Sequence, residues 1–486
     1  MDKSALPPLN RRRISEPARP TRIVQFGEGN FLRAFVDWMI HRMNQQADFN
    51  TGVAVIQPIA NGLIDVLNQQ DGLYTLYLNG VKDGKVISKH ELISCIQKGV
   101  NPYRHYDEYL EEAENPALRL IISNTTEAGI AFDEKNARTD QPPGSFPGKL
   151  TAFLHHRFQH FEGSEEAGLI LIPCELIDRN GDKLKETINQ YADLWQLGPA
   201  FKEWINSHNT FCNTLVDRIV PGYPKDRIKE IWQELSYHDQ LVSEGEYFHL
   251  WVIEGPEAVR KAFPADQAGL NVVFTDDMTP YRTRKVRILN GAHTSMVPVG
   301  YLYGLETVRE AVEHEVMGDF VKGVIFDEII PTLDLPQEEL VQFANDVLDR
   351  FKNPFIKHYL ISIALNSVSK FKTRVLPSLL EYINRKGQLP PRMVFSLAAL
   401  IRFYKGYYDG KEIPLQDDDW VLSYLKDLWE KWDGSDAGVG QLVEAVLRWK
   451  KVWKQDLSQV PGLKELTTNY LMQIDKAGMK VAIEGL

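Results

Sequence analysis

The chain has 486 residues, of which 43% are hydrophobic and 25% are charged. That composition is ordinary for a globular protein, and that length allows two or three domains with cores of their own. The formal net charge of −11 argues against a broad surface for nucleic acid or for anionic membranes, because both would need an excess of lysine and arginine. A small anionic substrate is compatible with this charge, since one local cluster of cations is enough to bind it.

The cysteines and the N-terminal segment bear on the cellular compartment. The three cysteines, Cys95, Cys174 and Cys212, lie far apart in the sequence, so they predict neither a disulfide framework nor a cysteine-rich metal site. The N-terminal residues contain no apolar segment typical of a signal peptide, and no apolar run approaches the roughly 18 residues that span a bilayer. We therefore predict a cytoplasmic protein without nucleic-acid or membrane partners, whose oligomeric state the sequence leaves open.

Residues 1–20 form a segment rich in proline and arginine, and after it short aliphatic runs alternate with amphipathic segments. Nearly continuous aliphatic runs of this length are typical of strands that are buried on both faces of a parallel sheet. The amphipathic segments, such as residues 150–161 and 184–195, have helical spacing. This alternation predicts an α/β, doubly wound domain of the Rossmann type over residues 1–278. Its strand candidates are residues 22–26, 53–56, 118–123 and 169–172.

The second half of the sequence differs from the first, since helical patterns follow one another with few strand candidates. Thr279 can cap a helix and Pro280 is tolerated at its first position. We therefore predict that a second, mainly α-helical domain covers residues 279–486 and carries the substrate-binding and catalytic groups. Its clearest helical patterns are residues 359–366, 393–404, 421–432 and 442–453.

The first strand candidate runs directly into Gly27-Glu28-Gly29, and the residues after it have a helical pattern. Two glycines let the backbone turn tightly and approach a pyrophosphate, and the N-terminus of the helix offers it free N–H groups. A plain turn between strand and helix is the alternative, because the third glycine of the usual motif is missing. An acid usually follows the second strand and binds the ribose hydroxyls, but here Gln57 and Pro58 stand there. The candidate cofactor-binding residues are Phe26, Gly27, Glu28, Gly29, Asn30, Phe31, Gln57, Asn124 and Thr125.

Asn124, Thr125 and Glu127 follow the third strand candidate. The C-terminal ends of such strands border the ligand crevice. Asn124 and Thr125 are therefore candidates for binding the cofactor, and Glu127 is a candidate for binding the substrate. A simple cap for the next helix is an equally open interpretation of these residues.

The segment from Lys285 to His293 holds the candidate catalytic residues. On an α-helix, Asn290 would lie ~140° and His293 ~80° around the axis from Lys285, so all three fit on one side. A lysine can exchange a proton with a carbonyl oxygen, an amide can donate to that oxygen as charge develops, and an imidazole can position a neighbouring hydroxyl. From spacing alone, a surface lysine, a capping asparagine and a core histidine remain an alternative.

Three motifs together resemble the polyol-specific long-chain dehydrogenase/reductase (mannitol dehydrogenase) family. They are Gly27-Glu-Gly-Asn-Phe-Leu-Arg-Ala34, Val216-Asp-Arg-Ile219 and Lys285-x4-Asn290-x2-His293. The resemblance implies a Rossmann-type domain, a mainly helical domain and a cleft between them. It also implies NAD as the cofactor and zinc-independent hydride transfer, with Lys285 as the acid/base and with Asn290 and His293 nearby. Longer stretches, at residues 23–38, 123–130, 172–178 and 288–293, are most similar to those members that reduce a keto sugar acid.

Two departures from the mannitol-type members bear on the substrate. Those members have an Asp-Asn pair, whose asparagine helps to polarise the reacting oxygen, where this chain has Glu175-Leu176. They also have a glutamate three residues before the lysine, where this chain has Arg282. An arginine in place of an acid suggests a substrate with a negative charge, because a buried carboxylate needs a cation. The candidate ligands for that carboxylate are Arg282, Lys370 and Arg374, and the sequence favours Arg282, because it lies three residues before Lys285.

Other features of the sequence are compatible with different functions. His156 and His160 lie one turn apart beside His155, but no acidic third ligand is evident, so we predict no metal site. Two other enzymes are alternatives. One is a fructuronate reductase, which would act on a different keto sugar acid, and the other is a dehydrogenase of phosphorylated polyols. A catalytically inert nucleotide-binding sensor is the alternative from another class, and the presence of all three catalytic candidates argues against it.

Overall fold

A computed structural model describes residues 6–126 and 128–486 of the chain. It divides into two compact units. The first unit comprises Met1–Asn79 and Ile87–Met278, and the second comprises Gly80–Val86 and Thr279–Leu486. Within the described residues, no helix combines the length and the apolar character that a membrane span requires.

Among its described residues the first unit contains nine α-helices and twelve strands, of which the third and the fourth extend into Gly80–Val86 of the second unit. The strands are β1 Thr21–Phe26, β2 Gly52–Ile56, β3 Tyr74–Lys82, β4 Lys85–Ile93, β5 Ile96–Val100, β6 Leu120–Ser123, β7 Ile170–Pro173, β8 Thr210–Phe211, β9 Asn213–Asp217, β10 Ser243–Glu246, β11 Leu250–Glu254 and β12 Val272–Thr275. The helices are α1 Asn30–Leu32, α2 Trp38–Gln46, α3 Ile64–Gln69, α4 Tyr106–Glu111, α5 Phe146–His160, α6 Asn180–Leu194, α7 Pro199–His208, α8 Ile228–Leu235 and α9 Glu257–Ala262. A π-helical segment, Arg33–Asp37, joins α1 to α2.

Six of these strands form one parallel sheet in the order β5-β2-β1-β6-β7-β8. This order reverses its direction between β1 and β6, as in a doubly wound dinucleotide fold. The predicted α/β class is therefore confirmed. Two further sheets, β10-β3-β4 and β12-β11-β9, were not predicted. The strand β10, Ser243–Glu246, has no apolar residue.

The sheet is buried on both faces because most residues of its central strands are apolar. Along β1, Ile23 belongs to a hydrophobic cluster that includes Phe35. Val24 and Phe26 belong to a second cluster, which includes Phe153 of α5. Successive side chains of a strand point to opposite faces, so one short run of apolar residues supplies both cores. Both predicted amphipathic helices are present as α5 and α6.

The N-terminal segment is part of the first unit from the start of the described residues. Leu9 is fully buried, and its backbone N–H donates to the carbonyl of His238 at 3.1 Å. The guanidinium of Arg11 donates to the carbonyls of Ser94 and Ile96 at 2.9 and 3.1 Å. These bonds fasten the segment to the sheet edge beside β5.

The second unit is helical apart from the strands β13 Tyr407–Tyr408 and β14 Lys411–Glu412. Its helices are α10 Thr279–Lys285, α11 Gly291–Tyr303, α12 Val308–Glu313, α13 Glu315–Lys322, α14 Gln337–Phe351, α15 Leu360–Ile363, α16 Ser367–Arg374, α17 Leu376–Lys386, α18 Pro391–Phe403, α19 Asp419–Glu430, α20 Asp436–Leu447, α21 Lys450–Trp453, α22 Leu463–Ala477 and α23 Met479–Ile483. The predicted helix start at Thr279 is confirmed. Most of α11 is buried, and α18 packs against both α11 and α22.

Two predicted helices are shorter than expected. The pattern over residues 359–366 forms only the short helix α15, because Asn366 adopts a left-handed conformation with φ of 54°. The pattern over residues 442–453 is divided between α20 and α21, since the chain leaves helical geometry at Trp449. Apolar spacing therefore located these segments correctly but missed the breaks within them.

Candidate active site

The glycine loop lies where the sheet order reverses. The N–H of Gly27 donates to the carbonyl of Ile56 at 3.0 Å, and the N–H of Asn124 donates to the carbonyl of Phe26 at 3.2 Å. Gly27 has φ of +120°, and a Cβ on it would lie 3.0 Å from the carbonyl oxygen of Asn124. Both its conformation and its surroundings therefore require glycine.

Gly29 presents a different case. It precedes α1 in extended conformation, with φ of −68° and ψ of 169°. A Cβ built on it would meet no described atom within 4 Å, so folding does not explain a glycine there. Open space before the N-terminus of a helix at the switch point of a doubly wound sheet fits the close approach of a dinucleotide pyrophosphate.

A buried carboxylate ties the ends of β6 and β7 together. Glu175 accepts hydrogen bonds from Ser123 Oγ at 3.0 Å and from the N–H and Oγ of Thr125 at 3.0 and 3.1 Å. Burial raises the pKa of this carboxyl group, and the hydrogen bonds oppose that rise. The next residue, Leu176, is 62% exposed and carries no hydrogen-bond donor. Glu175 therefore orders the ligand edge of the sheet, whereas Leu176 cannot replace the asparagine of the mannitol-type pair.

In the second unit, the candidate catalytic residues lie on an interrupted helix. α10 ends at Lys285, a π-helical segment covers Val286–Asn290, and α11 begins at Gly291. The expectation of a continuous α-helix is therefore wrong. Bonds from residue i to i+5 add a residue to the turn, and such π segments are frequent at functional sites. The wider turn brings Asn290 closer to the side of Lys285 than α-helical geometry would.

The imidazole of His293 is enclosed by aromatic rings. It stacks on Phe351 with centroids 4.3 Å apart and meets His358 edge to face at 5.1 Å. Its Nε2 atom is buried and has no hydrogen-bond partner among the described residues. A buried polar atom without a partner is rare in folded proteins. Here it suits a nitrogen that binds a substrate hydroxyl.

Burial lowers the pKa of His293 far below its ordinary value, and nearby positive charges lower it further. Those charges belong to Arg350, Arg374 and Lys370, and to His358 when it is protonated. The imidazole is consequently neutral at pH 7. It can either donate or accept one hydrogen bond through Nε2, according to its tautomer.

Two of the predicted substrate cations, Lys370 and Arg374, lie on α16 near His293. Burial lowers the pKa of both side chains. Lys370 Nζ donates to the carbonyl of Ile363 at 2.8 Å. The half-buried guanidinium of Arg374 has no hydrogen-bond acceptor among the described residues. Arg282, in contrast, is exposed on α10 and is not among the charges that act most on His293.

The sequence matches family models over most of its length. The mannitol dehydrogenase Rossmann domain matches residues 21–266, and the mannitol dehydrogenase C-terminal domain matches residues 277–475. The chain belongs to the mannitol dehydrogenase family. Together with the sheet order and the glycine loop, this membership makes it an NAD-dependent oxidoreductase that acts on a CH–OH group.

Several relatives of this mannitol dehydrogenase family member resemble it closely. The altronate oxidoreductase of Bacillus subtilis (strain 168) is 53% identical over 96% of this chain and 95% of its own. That of Bacteroides thetaiotaomicron is 49% identical over 98% of this chain and 99% of its own. Among solved structures, D-sorbitol dehydrogenase in substrate-free form has a TM-score of 0.79 and 22% identity, over 98% of this chain and 100% of that one. The Pseudomonas fluorescens mannitol 2-dehydrogenase ternary complex with NAD and D-mannitol has a TM-score of 0.63 and 20% identity, over 98% and 99%.

Several side chains predicted to contact the cofactor have other roles in this family member. Phe26 is fully buried in the core and packs against Phe146 at 5.1 Å. The Oδ1 atom of Asn30 accepts from Arg33 Nη2 at 2.7 Å, and the ring of Phe31 stacks on Phe35 at 5.1 Å. The side chain of Phe26 therefore belongs to the core, whereas Asn30 and Phe31 are half-buried and bind neighbouring residues of the same helix.

The other predicted residues, at the edge of the sheet, also have side chains that bind the protein itself. Asn124 is half-buried and donates from Nδ2 to the carbonyl of Cys174 at 2.8 Å, and Thr125 binds Glu175. Gln57 is almost fully buried, and both ends of its amide bind the backbone of the following loop. The side-chain amide of Gln57 therefore binds the protein itself, and its role in cofactor binding stays a prediction. Glu127 lies outside the described residues.

Sequence reasoning missed three groups around His293, namely Arg350, Phe351 and His358. They come from the end of α14 and from the segment after it, and no spacing relates them to the Lys-Asn-His motif. The only available signal was the local excess of basic residues between 350 and 374.

The three neighbouring histidines of α5 have structural partners. His155 packs edge to face on Phe201 at 5.2 Å, and burial lowers its pKa to about 4. His156 Nε2 lies 2.8 Å from Glu114 Oε1, and His160 Nδ1 lies 3.7 Å from the other oxygen of that carboxylate. Across residues 6–126 and 128–486, no group of three or more His, Cys, Asp or Glu side chains is arranged to hold a metal ion.

Proposed function

We propose that this chain reduces D-tagaturonate to D-altronate with NADH, reversibly, as a step of hexuronate breakdown. The relatives that support this assignment are named altronate oxidoreductases and are 46–53% identical over nearly the whole chain. The observation that carries it is the set of positive charges around His293, from Arg350, Lys370 and Arg374. Such a set suits a sugar that bears a carboxylate, because a carboxylate that leaves water needs a cation.

In the proposed mechanism, the residues of the interrupted helix handle the proton and the substrate oxygens. NADH, held at the glycine loop of Gly27 and Gly29, would supply a hydride for the carbonyl carbon. Lys285 gives a proton to the oxygen as it gains negative charge, and Asn290 donates a hydrogen bond to the same oxygen. The neutral His293 binds an adjacent hydroxyl through Nε2. In the oxidation direction Lys285 accepts the proton instead. The mechanism uses no metal ion, so activity should survive exhaustive dialysis against a chelator.

The π segment explains how one helix can present all three groups. In an α-helix Asn290 would lie ~140° around the axis from Lys285, at the limit of one side of the helix. The extra residue of the π turn turns Asn290 toward Lys285. The backbone of this segment is supported by Arg287, which donates to the carbonyl of Thr373 at 2.8 Å. Donors that are held in place before the reaction stabilise the developing charge without reorganisation.

The substrate carboxylate is assigned to Arg374 in this proposal, with Lys370 as a neighbouring charge and Arg282 as the weaker candidate. An arginine can form two parallel hydrogen bonds to a carboxylate. Arg374 is half-buried and without an acceptor among the described residues, whereas Lys370 is already bonded to Ile363. Arg282 is exposed, and an exposed ion pair contributes little.

NADH oxidation with single substrates tests the function. D-tagaturonate, D-fructuronate and a ketose phosphate are each offered alone. A fructuronate reductase would be most active with D-fructuronate, and a phosphorylated-polyol dehydrogenase would be most active with the ketose phosphate. We expect the highest specificity constant with D-tagaturonate. A higher value with either of the others would replace the proposal. Binding of NADH without turnover of any of the three would indicate a nucleotide-binding sensor.

The proposed setting is the cytoplasm, with a small sugar acid as partner and without nucleic acid or membrane. Cys95, Cys174 and Cys212 are all buried and unpaired, and this supports a reducing compartment. A protein fused to a fluorescent reporter and localised in its native host would test the assignment.

A further inference from the structure

This chain lacks the acidic residue that usually distinguishes NAD from NADP. Enzymes that prefer NAD commonly place an acid after the second strand, where it binds the ribose hydroxyls and repels a 2′-phosphate. Here β2 ends at Ile56 and is followed by Gln57 and Pro58. Neither side chain carries a negative charge.

Gln57 orders the loop after β2 instead of meeting a ligand. Its Nε2 atom donates to the carbonyls of Ile59 and Ala60 at 2.8 and 3.1 Å. Its Oε1 atom accepts from the N–H of Ile64, the first residue of α3, at 3.4 Å. The side chain is 1% exposed. Its amide is therefore fully used by the protein.

The carboxylate of Glu28 lies against the same loop, although it comes from the glycine loop after β1. Its Oε1 atom accepts from the N–H of Leu63 at 3.3 Å. A Cβ on Gly62 would collide with that oxygen and with the amide of Gln57. The carboxylate fits there only because residue 62 is glycine. An acid thus reaches the end of β2 from the neighbouring strand.

Arg33, the cation that acts on Glu28, does not neutralise this carboxylate by direct contact. Its Nε atom donates to the backbone carbonyl of Glu28 at 3.1 Å, and its other nitrogens bind Leu241 and Asn30. Among the described residues, the carboxylate of Glu28 accepts hydrogen bonds from the backbone N–H groups of Leu63 and of Glu28 itself. Glu28 is 8% exposed. Burial raises the pKa of its carboxyl group, and these two bonds and the charge of Arg33 oppose that rise. Lone pairs are left for ribose hydroxyls.

We infer that Glu28 supplies the missing acid: its carboxylate binds the adenosine ribose hydroxyls of NAD and repels the 2′-phosphate of NADP. The inference goes beyond the proposed function. It rests on the use of NAD and not on the identity of the sugar acid.

Cofactor binding without any sugar tests this role. The dissociation constants of NADH and NADPH are measured by quenching of protein fluorescence for the wild type and for Glu28→Gln, which keeps the acceptor for Leu63 but removes the charge. The preference for NADH, expressed as the ratio of the two constants, should fall by about ten- to a hundredfold. Asp65→Asn is the matched control, because Asp65 is an exposed acid at the start of α3 that pairs with Arg104; its ratio should stay at the wild-type value.

An unchanged ratio in Glu28→Gln would overturn the inference, and so would a ratio that falls only in Asp65→Asn. A loss of affinity for both cofactors by the same factor would assign Glu28 a structural role alone. A second measurement needs no variant. In a crystal structure of the wild-type protein with NADH, a Glu28 oxygen should lie within about 3.2 Å of a hydroxyl of the adenosine ribose. Another acid in that position would also refute the role.

Discussion

Replacement of Arg374 by glutamine tests the proposed carboxylate site most directly. The guanidinium is half-buried and burial lowers its pKa, so its charge is incompletely compensated by water. A hydrogen bond to a charged partner contributes about 1.5–3 kcal/mol. Its loss should lower kcat/KM for D-tagaturonate by a factor of about ten to a hundred and fifty.

The same change should have little effect on an uncharged substrate. Specificity constants are therefore measured for D-tagaturonate and for the neutral ketose tagatose, and the ratio of the two is compared among variants. Lys370→Gln should change this ratio less than Arg374→Gln, because Lys370 Nζ already donates to the carbonyl of Ile363. Arg282→Gln should change it by less than about fivefold, the range of an exposed ion pair. Lys372→Gln, on the same helix α16, serves as the control.

A second readout of Arg374→Gln does not depend on any substrate. The charge of Arg374 is one of those that lower the pKa of His293. Its removal should therefore raise that pKa toward the ordinary value, as followed by NMR titration of the imidazole. If the ratio of specificity constants in Arg374→Gln equals that of the wild type, the carboxylate is bound elsewhere. If the His293 pKa is also unchanged, Arg374 of α16 does not lie near His293.

The remaining predictions concern catalysis, the glycine loop and acid stability. Lys285→Ala should lower kcat by about two to four orders of magnitude while NADH still binds; retention of more than about a tenth of the activity would remove Lys285 from the acid/base role. Gly29→Ala should leave the melting temperature unchanged and weaken NADH binding, since its Cβ meets open space, whereas Gly27→Ala should lower the melting temperature by straining a residue with φ of +120°. The pKa of His155 is lowered to about 4 in the folded protein, so the unfolded state binds the extra proton as pH falls. The free energy of unfolding should therefore decrease by up to about 1.4 kcal/mol per pH unit from about pH 6.5 downward and stop decreasing on this account near pH 4. Urea titrations should show a shallower dependence in His155→Phe, and an identical dependence would contradict the shift.

Much of the fold follows from the sequence because its signals are local. The run Ile23–Phe26 is apolar at every position but one, and such a run packs only where both faces of a strand are covered. The strand-to-helix junction at Gly27 and the helical spacing in α5 and α6 are likewise set by residues close to one another. The edge strands were missed because their partly exposed residues have no apolar pattern distinct from that of a loop.

The order of Lys285, Asn290 and His293 indicated the chemistry, but the relative direction of their side chains depended on the π segment. A π turn has no strong sequence signature, since it is stabilised by the tertiary contacts that surround it rather than by local propensity. Helix α16 approaches this segment so closely that a Cβ on Gly291 would lie 3.2 Å from the carbonyl oxygen of Arg374. That packing decides which cations stand near His293.

Only tertiary structure could likewise show which polar residues at the sheet edge are used by the protein itself. The sequence predicted that Gln57 and Glu28 bind the same cofactor, although they lie more than twenty-five residues apart in the chain. Folding buries the amide of Gln57 in hydrogen bonds to its own loop and brings the carboxylate of Glu28 onto the same loop. A side chain's identity fixes which hydrogen bonds it can form, but the surrounding backbone groups determine which of those bonds are already taken when a ligand arrives.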